Sequence, residues 1–287
     1  MRFVSLISFA CFGFLQAADA PASFHVDGTG KGPTMILIPG LASSGRVWDS
    51  TVARYSGRYE CHVLTLAGFA GQPAIDGPFL ETVRNDLAKY IRDKKLDKPI
   101  VMGHSLGGFL TLWLASKEPD LVGPLIIVDS LPFMGAIMDP KATPETAKPM
   151  AEMMKKQIDG PPGEESDKAV AAQIHSMVTG DADFNTIMGW SKASDRNAVG
   201  EGMYELMTTD LRTDIASIKS PTLVLGTWIG YKAYTTRETV EKNVRAQYAA
   251  LPGAQIQIMD TAKHFIMYDD PKGFFQAVDA FLKSRRL

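Results

Sequence analysis

Cysteine is nearly missing from this chain: Cys11 and Cys61 are the only two in 287 residues. Cys11 falls in an apolar N-terminal stretch that is expected to be removed, which leaves Cys61 alone. A single thiol forms no internal disulfide, so the mature fold must rest on its core. Cys61 itself, inside the strand-like run Tyr59 to Leu66, reads as a small buried apolar residue. An excess of charge of one sign is missing too. The formal net charge is −2 with no long basic run, which excludes nucleic acid as a natural partner. No second histidine stands at H-x-x-x-H spacing, so no metal site is implied. The glycine fingerprint of dinucleotide binding and any internal repeat are also missing, and no cofactor is expected. The longest apolar stretch, Phe3 to Leu15, is too short for a comfortable transmembrane helix.

That stretch has a different reading. Met1-Arg2 supplies a short positive start, Phe3 to Leu15 an apolar segment, and Ala18-Asp19-Ala20 an A-x-A cleavage site. Together they predict a signal peptide over residues 1–20 and export to the periplasm or the extracellular space. No stable membrane insertion is expected after cleavage. The remaining chain is long enough for one large α/β domain, and 45% apolar residues are enough to fill its core.

Short buried-type strands recur along it: Thr34 to Ile38, Ile100 to Met102, Leu125 to Val128, Pro221 to Leu225 and Ile256 to Met259. Amphipathic helices stand between them. Leu80, Val83, Leu87 and Ile91 share one helical face, and Phe274, Phe275, Val278, Phe281 and Leu282 make a terminal helix. Strands alternating with helices predict an α/β fold, a mostly parallel, doubly wound sheet covered on both faces. Residues 133–214 break the rhythm. They hold no convincing strand, several prolines, and nine of the fourteen methionines. They are expected to form a helical cap over the C-terminal edge of a core made of residues 21–132 and 215–287. Flexible methionine side chains suit a cap that adapts to apolar acyl groups, although packing between cap helices accounts for them as well.

The chemistry-bearing motif is Gly103-His104-Ser105-Leu106-Gly107. An apolar strand precedes it and the helix-forming run Gly108 to Ala115 follows. In that context G-x-S-x-G marks a sharp strand-to-helix turn that pushes one serine hydroxyl out of the sheet. The helix start presents unpaired N–H groups to a developing oxyanion.

With these residues the chain resembles the α/β-hydrolase superfamily. Thr34 to Leu41 resembles the strand and loop that carry the first oxyanion-hole N–H. Pro39-Gly40 stands where members often have His-Gly, a change that a backbone donor tolerates. Trp48 and the glycine-bearing turn Leu66 to Gly71 agree in order. Ala262-Lys263-His264-Phe265 with Asp270-Pro271 resembles the histidine loop and the start of the last helix.

The resemblance implies Ser105 as nucleophile, His264 as general base, and the backbone N–H groups of Leu41 and Leu106 as the oxyanion hole. The other histidines fit the base role poorly: His25 precedes the core strands, His62 lies in a strand, His104 adjoins the serine and is expected to point away, and His175 lies in the cap. The acid departs from the usual pattern. Members commonly place an aspartate after the strand matching Leu223 to Leu225, but no Asp or Glu occurs between Ile215 and Arg237. Asp129, at the end of the preceding strand, is the candidate acid, with Glu238 in reserve and an acid-free dyad as the remaining option. The implied activity is an exported carboxylesterase acting on a small-molecule ester through an acyl-enzyme. Aminopeptidase, lactonase and acyltransferase chemistry use the same triad, and a non-catalytic ligand-binding protein on this scaffold is the competing class.

Overall fold

Strict alternation along the buried strands sends successive side chains to opposite faces of one sheet. Ile36, Ile38, Val101, Leu125, Ile127 and Val224 enter one apolar layer. Their neighbours Met35, Leu37, Met102, Ile126, Val128, Leu223 and Leu225 enter the other. The computed structural model describes residues 23–137 and 139–285, so the expected leader lies outside the described residues.

The elements are β1 (Phe24–Thr29), β2 (Thr34–Ile38), α1 (Asp49–Tyr55), β3 (Glu60–Leu66), α2 (Phe79–Asp93), β4 (Ile100–His104), α3 (Leu106–Lys117) and β5 (Leu125–Val128). Four helices follow: α4 (Pro144–Asp159), α5 (Glu164–Met177), α6 (Asp181–Ala193) and α7 (Arg196–Thr208). The chain returns with β6 (Thr222–Thr227), α8 (Arg237–Gln247), β7 (Gln255–Met259), the single turn α9 (Ile266–Asp269) and α10 (Pro271–Ser284). The sheet order is β1-β3-β2-β4-β5-β6-β7. Among the described strands, only β1, paired to β3, runs antiparallel.

This order places the site. The chain steps outward from β2 to β3, then crosses back to lay β4 on the other side of β2. Connections leaving neighbouring strands in opposite directions open a crevice beyond their C-terminal ends. β2 and β4 are those neighbours, with Ile38 opposite Gly103. The loop after β2 carries Leu41 and the turn after β4 carries Ser105.

α3 is apolar on nearly every side because it is covered nearly everywhere; ten of its twelve residues are buried. The α4 to α7 insertion divides into two pairs. α4 and α7 pack together on the side of α2 and α3, where Met203, Met207 and Ala151 form a small apolar cluster bordered by Leu41 and Met154. α5 and α6 lie on the other side, where Ile174, Val178 and Ile187 join the layer that contains Phe265 and Met267. Cys61 is fully buried, and burial pushes its thiol up to about 11, as a structural cysteine requires. Among the described residues no helix is long and apolar enough to cross a membrane.

Candidate active site

Ser105 sits at φ 53°, ψ −121°, between β4 and α3. A non-glycine residue there carries strain, roughly 1–3 kcal/mol, which the surrounding packing must hold in place. The flanking glycines explain how. A Cβ on Gly103 would stand 2.1 Å from the Gly107 carbonyl oxygen, and one on Gly107 would stand 2.3 Å from that of Ile38. The turn closes on itself and on the end of β2 so tightly that neither position admits a side chain.

The Ser105 N–H donates to the Val128 carbonyl at 2.9 Å, so the serine is hydrogen-bonded to the residue before Asp129. Asp129 is the second strained residue of the site, at φ 47°. Its backbone N–H donates to the Leu225 carbonyl at 2.7 Å. Its Oδ1 accepts the Thr227 N–H at 3.1 Å. Its Oδ2 lies 2.6 Å from His264 Nδ1. A carboxylate there keeps the imidazole proton on Nδ1 and leaves Nε2 as a free acceptor. The side chains of His264 and Asp129 are 19% and 16% exposed, largely sheltered from bulk water.

Glu238 lies in the first turn of α8 and is exposed. The structure therefore brings His264 to Asp129 and leaves Glu238 apart. The end of β6 carries no carboxylate and contributes the Thr227 N–H to Asp129, the residue after β5, instead. The Thr227 hydroxyl donates to the Ala262 carbonyl and so ties the end of β6 to the loop that carries His264.

His104 has a larger part than a residue pointing away from the site. It is 1% exposed, and its ring packs on that of His264 with centroids 4.5 Å apart. Its Nε2–H donates to the His264 backbone carbonyl at 3.1 Å. Burial, and the repulsion of a charge on His264, hold its pKa well below the ordinary value, so it acts as a neutral donor. Because His104 precedes Ser105, its ring brings the His264 loop against the serine turn. The sequence signal was direct adjacency; which way the side chain turned was set by tertiary packing.

On the opposite side, Gly40 and Leu41 follow β2. A Cβ on Gly40 would come within 3.2 Å of Ser105 Cβ, so the backbone passes directly beside the serine. Leu106 is the first residue of α3, whose opening N–H groups have no partner within the helix. Among the described residues neither the Leu41 nor the Leu106 N–H donates to a backbone carbonyl. Both leucine side chains reach α7, where a Cβ on Gly202 would lie 3.1 Å from Leu41 Cδ1 and 3.4 Å from Leu106 Cδ1.

Three further residues were not foreseen. Glu205 of α7 accepts the N–H groups of Phe79 and Leu80, the latter at 2.9 Å. It thereby caps helix α2 from the α4–α7 insertion. Tyr231 is 40% exposed, but desolvation of its phenol oxygen and the Asp129 charge push the phenol up to about 12. Tyr248 donates to the Ser130 carbonyl at 2.8 Å, steadying the backbone just past Asp129.

A model of the alpha/beta hydrolase family matches residues 35–277. The pimeloyl-[acyl-carrier protein] methyl ester esterase of Nitrosomonas europaea is 25% identical over 213 residues, 71% of this chain and 80% of that protein. The enzyme of the same name from Aeromonas hydrophila is 22% identical over 264 residues, 91% of this chain and 99% of the other. Among solved structures, bromoperoxidase from Bacillus anthracis superposes with a TM-score of 0.76 at 17% identity, covering 91% of this chain and 95% of that one. The enol-lactonase from Burkholderia xenovorans gives a TM-score of 0.73 at 20% identity, with 91% and 96% covered. At such identities the structures speak for the fold alone.

Proposed function

The chain belongs to the alpha/beta hydrolase family, and from that premise we propose that it is an exported serine hydrolase cleaving carboxylic esters. The observation that carries the reading is the 2.6 Å contact between Asp129 and His264, beside a serine held in a strained turn. His264 Nε2 takes the Ser105 proton as Oγ attacks the ester carbonyl carbon. The Leu41 and Leu106 N–H groups stabilise the oxyanion. Collapse of the tetrahedral adduct expels the alcohol, which receives the proton from His264. Water, deprotonated by the same imidazole, then releases the acid and restores Ser105.

The relatives support an ester over an amide, since they are named for cleaving a methyl ester. Packing supports an apolar acyl group. Leu41, whose backbone is the first oxyanion donor, borders the cluster of Met203 and Met207, with Met134 and Met154 beside it. Met150 and Met153 of α4, 51% and 56% exposed, face outward and take no part in that cluster.

The test is a series of p-nitrophenyl esters of increasing acyl length, run alongside a fluorophosphonate label. Wild type should turn over and label on Ser105. Ser105→Ala should do neither while keeping its circular dichroism spectrum, with a loss of roughly 10⁶ in kcat as for other serine nucleophiles. Full turnover by Ser105→Ala would overturn the mechanism. Export rests on the Met1-Arg2 start, the apolar stretch and the A-x-A site. Intact mass of the protein from its native host should show a chain beginning after Ala20; one beginning at Met1 would refute cleavage.

A further inference from the structure

The histidine loop is fastened to the cap as well as to the sheet. Between the end of β7 and the start of α9 the chain has no regular structure from Asp260 to Phe265, so the placement of His264 depends on what holds its neighbours. Both neighbours are bonded to the last turn of α5. The Phe265 N–H donates to the Met177 carbonyl at 3.1 Å. The Lys263 ammonium donates to the His175 carbonyl at 2.6 Å and to the Val178 carbonyl at 2.9 Å. These are carbonyls at a helix C-terminus, unpaired within the helix and carrying its negative end, so a cation there is favoured.

Asp269 completes the connection. One carboxylate accepts the Lys263 N–H at 2.9 Å, the Thr179 N–H at 2.9 Å and the Thr179 hydroxyl at 3.0 Å. The residue before His264 and the α5–α6 linker therefore share one acceptor. The 3-10 turn Ile229–Tyr231 presses on the same place: a Cβ on Gly230 would lie 2.9 Å from the Ser176 carbonyl oxygen.

We infer that Lys263 and Asp269 are positioning residues, forming a strap that uses the cap helix α5 to hold His264 in register with Ser105. The inference rests on the reading of His264 as the base. Its physical content is that Asp129 fixes the imidazole's rotation and tautomer, whereas the strap fixes where the backbone bearing it stands. A general base displaced by about 1 Å can lose about 10²-fold in rate, so the strap acts on kcat. It does so even for an acyl group too short to reach the cap. A cap staple with only a structural role would act instead on thermal stability, or on KM for long acyl chains.

The experiment uses the full chain and p-nitrophenyl acetate. Lys263→Met keeps the length of the side chain and removes the donor, and Lys263→Arg restores a cationic donor. Thr179→Val deletes one bond to Asp269 from the cap side. Lys263→Met should lower kcat about tenfold or more with KM nearly unchanged, and slow fluorophosphonate labelling in proportion. Lys263→Arg should recover most of the rate, and Thr179→Val should show a smaller loss of the same kind. A folded Lys263→Met with normal kcat and labelling rate overturns the strap, as does a loss confined to KM or one that Arg fails to repair. Should Lys263→Met not fold, Thr179→Val decides: unchanged kcat overturns the inference. A wild-type protein that neither labels nor turns over overturns the hydrolase reading itself, whereas one that labels no faster than Lys263→Met overturns the strap alone.

Discussion

The two sides of the candidate site are held by different forces. On the base side, nearly every contact is directional. Asp129, Thr227, His104, Lys263 and Asp269 fix the His264 loop through hydrogen bonds of stated donor and acceptor. On the oxyanion side, position comes from close approach: Gly107 against Ile38, Gly40 against Ser105, and Gly202 of α7 against the Leu41 and Leu106 side chains. The difference teaches which changes each side tolerates. A directional contact fails when a donor or acceptor is lost at constant shape. A packed contact ignores polarity but fails when volume is added.

The largest expected effect breaks the base side without changing its shape. Asp129→Asn keeps the volume, yet an amide no longer stabilises the imidazolium and favours the unproductive tautomer. In another Ser-His-Asp triad the same change costs about 10⁴ in turnover, so a loss of at least ~10² in kcat for a short ester is expected. Glu238→Gln, on the exposed first turn of α8, should leave kcat as it was. The reverse ranking would move the acid to the β6 side.

His104→Phe should come next. The ring that packs on His264 remains, while the N–H to its carbonyl is lost, and one hydrogen bond contributes ~0.5–1.5 kcal/mol. If all of it is felt in the transition state, kcat falls by up to about tenfold. The cost in stability should be small, because His104 Nδ1 is itself buried without a partner and the phenyl ring removes that unsatisfied atom. An unchanged kcat in a folded variant would reduce His104 to core packing.

On the oxyanion side the informative change is Gly202→Leu. Its larger side chain must displace Leu41, Leu106 or Phe79, all within 3.1–3.4 Å of the first added atom. Overpacking of this kind costs roughly 1–3 kcal/mol, readable as a lower urea midpoint. Because Leu41 also borders the methionine cluster, KM should rise more for long acyl chains than for acetate. Equal effects at every chain length would separate that cluster from acyl binding.

The same division explains what could be read in the sequence. The core strands were legible because burial on both faces demands unbroken apolar runs, and Thr34–Ile38 and Leu125–Val128 match to the residue. The serine turn was legible because two glycines at fixed offsets have a steric cause. The pairing of Asp129 with His264 was legible partly by elimination, from the lack of any Asp or Glu between Ile215 and Arg237. What escaped notice was the set of polar ties between distant segments. Lys263 lies 88 positions from His175, and Thr179 is 90 from Asp269. A lysine beside a histidine reads as a surface cation until a helix end is brought to it. Thr227 carried no signal either, since any residue but proline would supply its backbone N–H and the carbonyl that its hydroxyl reaches lies on a distant loop.

The smallest expected effect concerns a polar tie between α7 and the oxyanion side, Glu205, and sharpens the contrast through pH. Burial raises its carboxyl pKa, against the lowering by the α2 N–H groups that it caps. In the folded protein it therefore binds a proton at higher pH than in the unfolded chain. Between the two values the folded state holds more protons, so its contribution to stability falls as pH rises through that window and is level on either side. Glu205→Gln keeps one acceptor oxygen for the helix and does not titrate. The Tm difference, wild type minus Glu205→Gln, should therefore decrease as pH is raised from about 4 to 7. His264 and Asp129 are unaltered in both proteins, so kcat for p-nitrophenyl acetate should stay equal. A difference that instead grows with pH would mean that the ionised carboxylate is the better cap, with helix-terminus attraction outweighing the burial cost. A fall in kcat would mean that the packed side, too, holds its geometry through a directional bond.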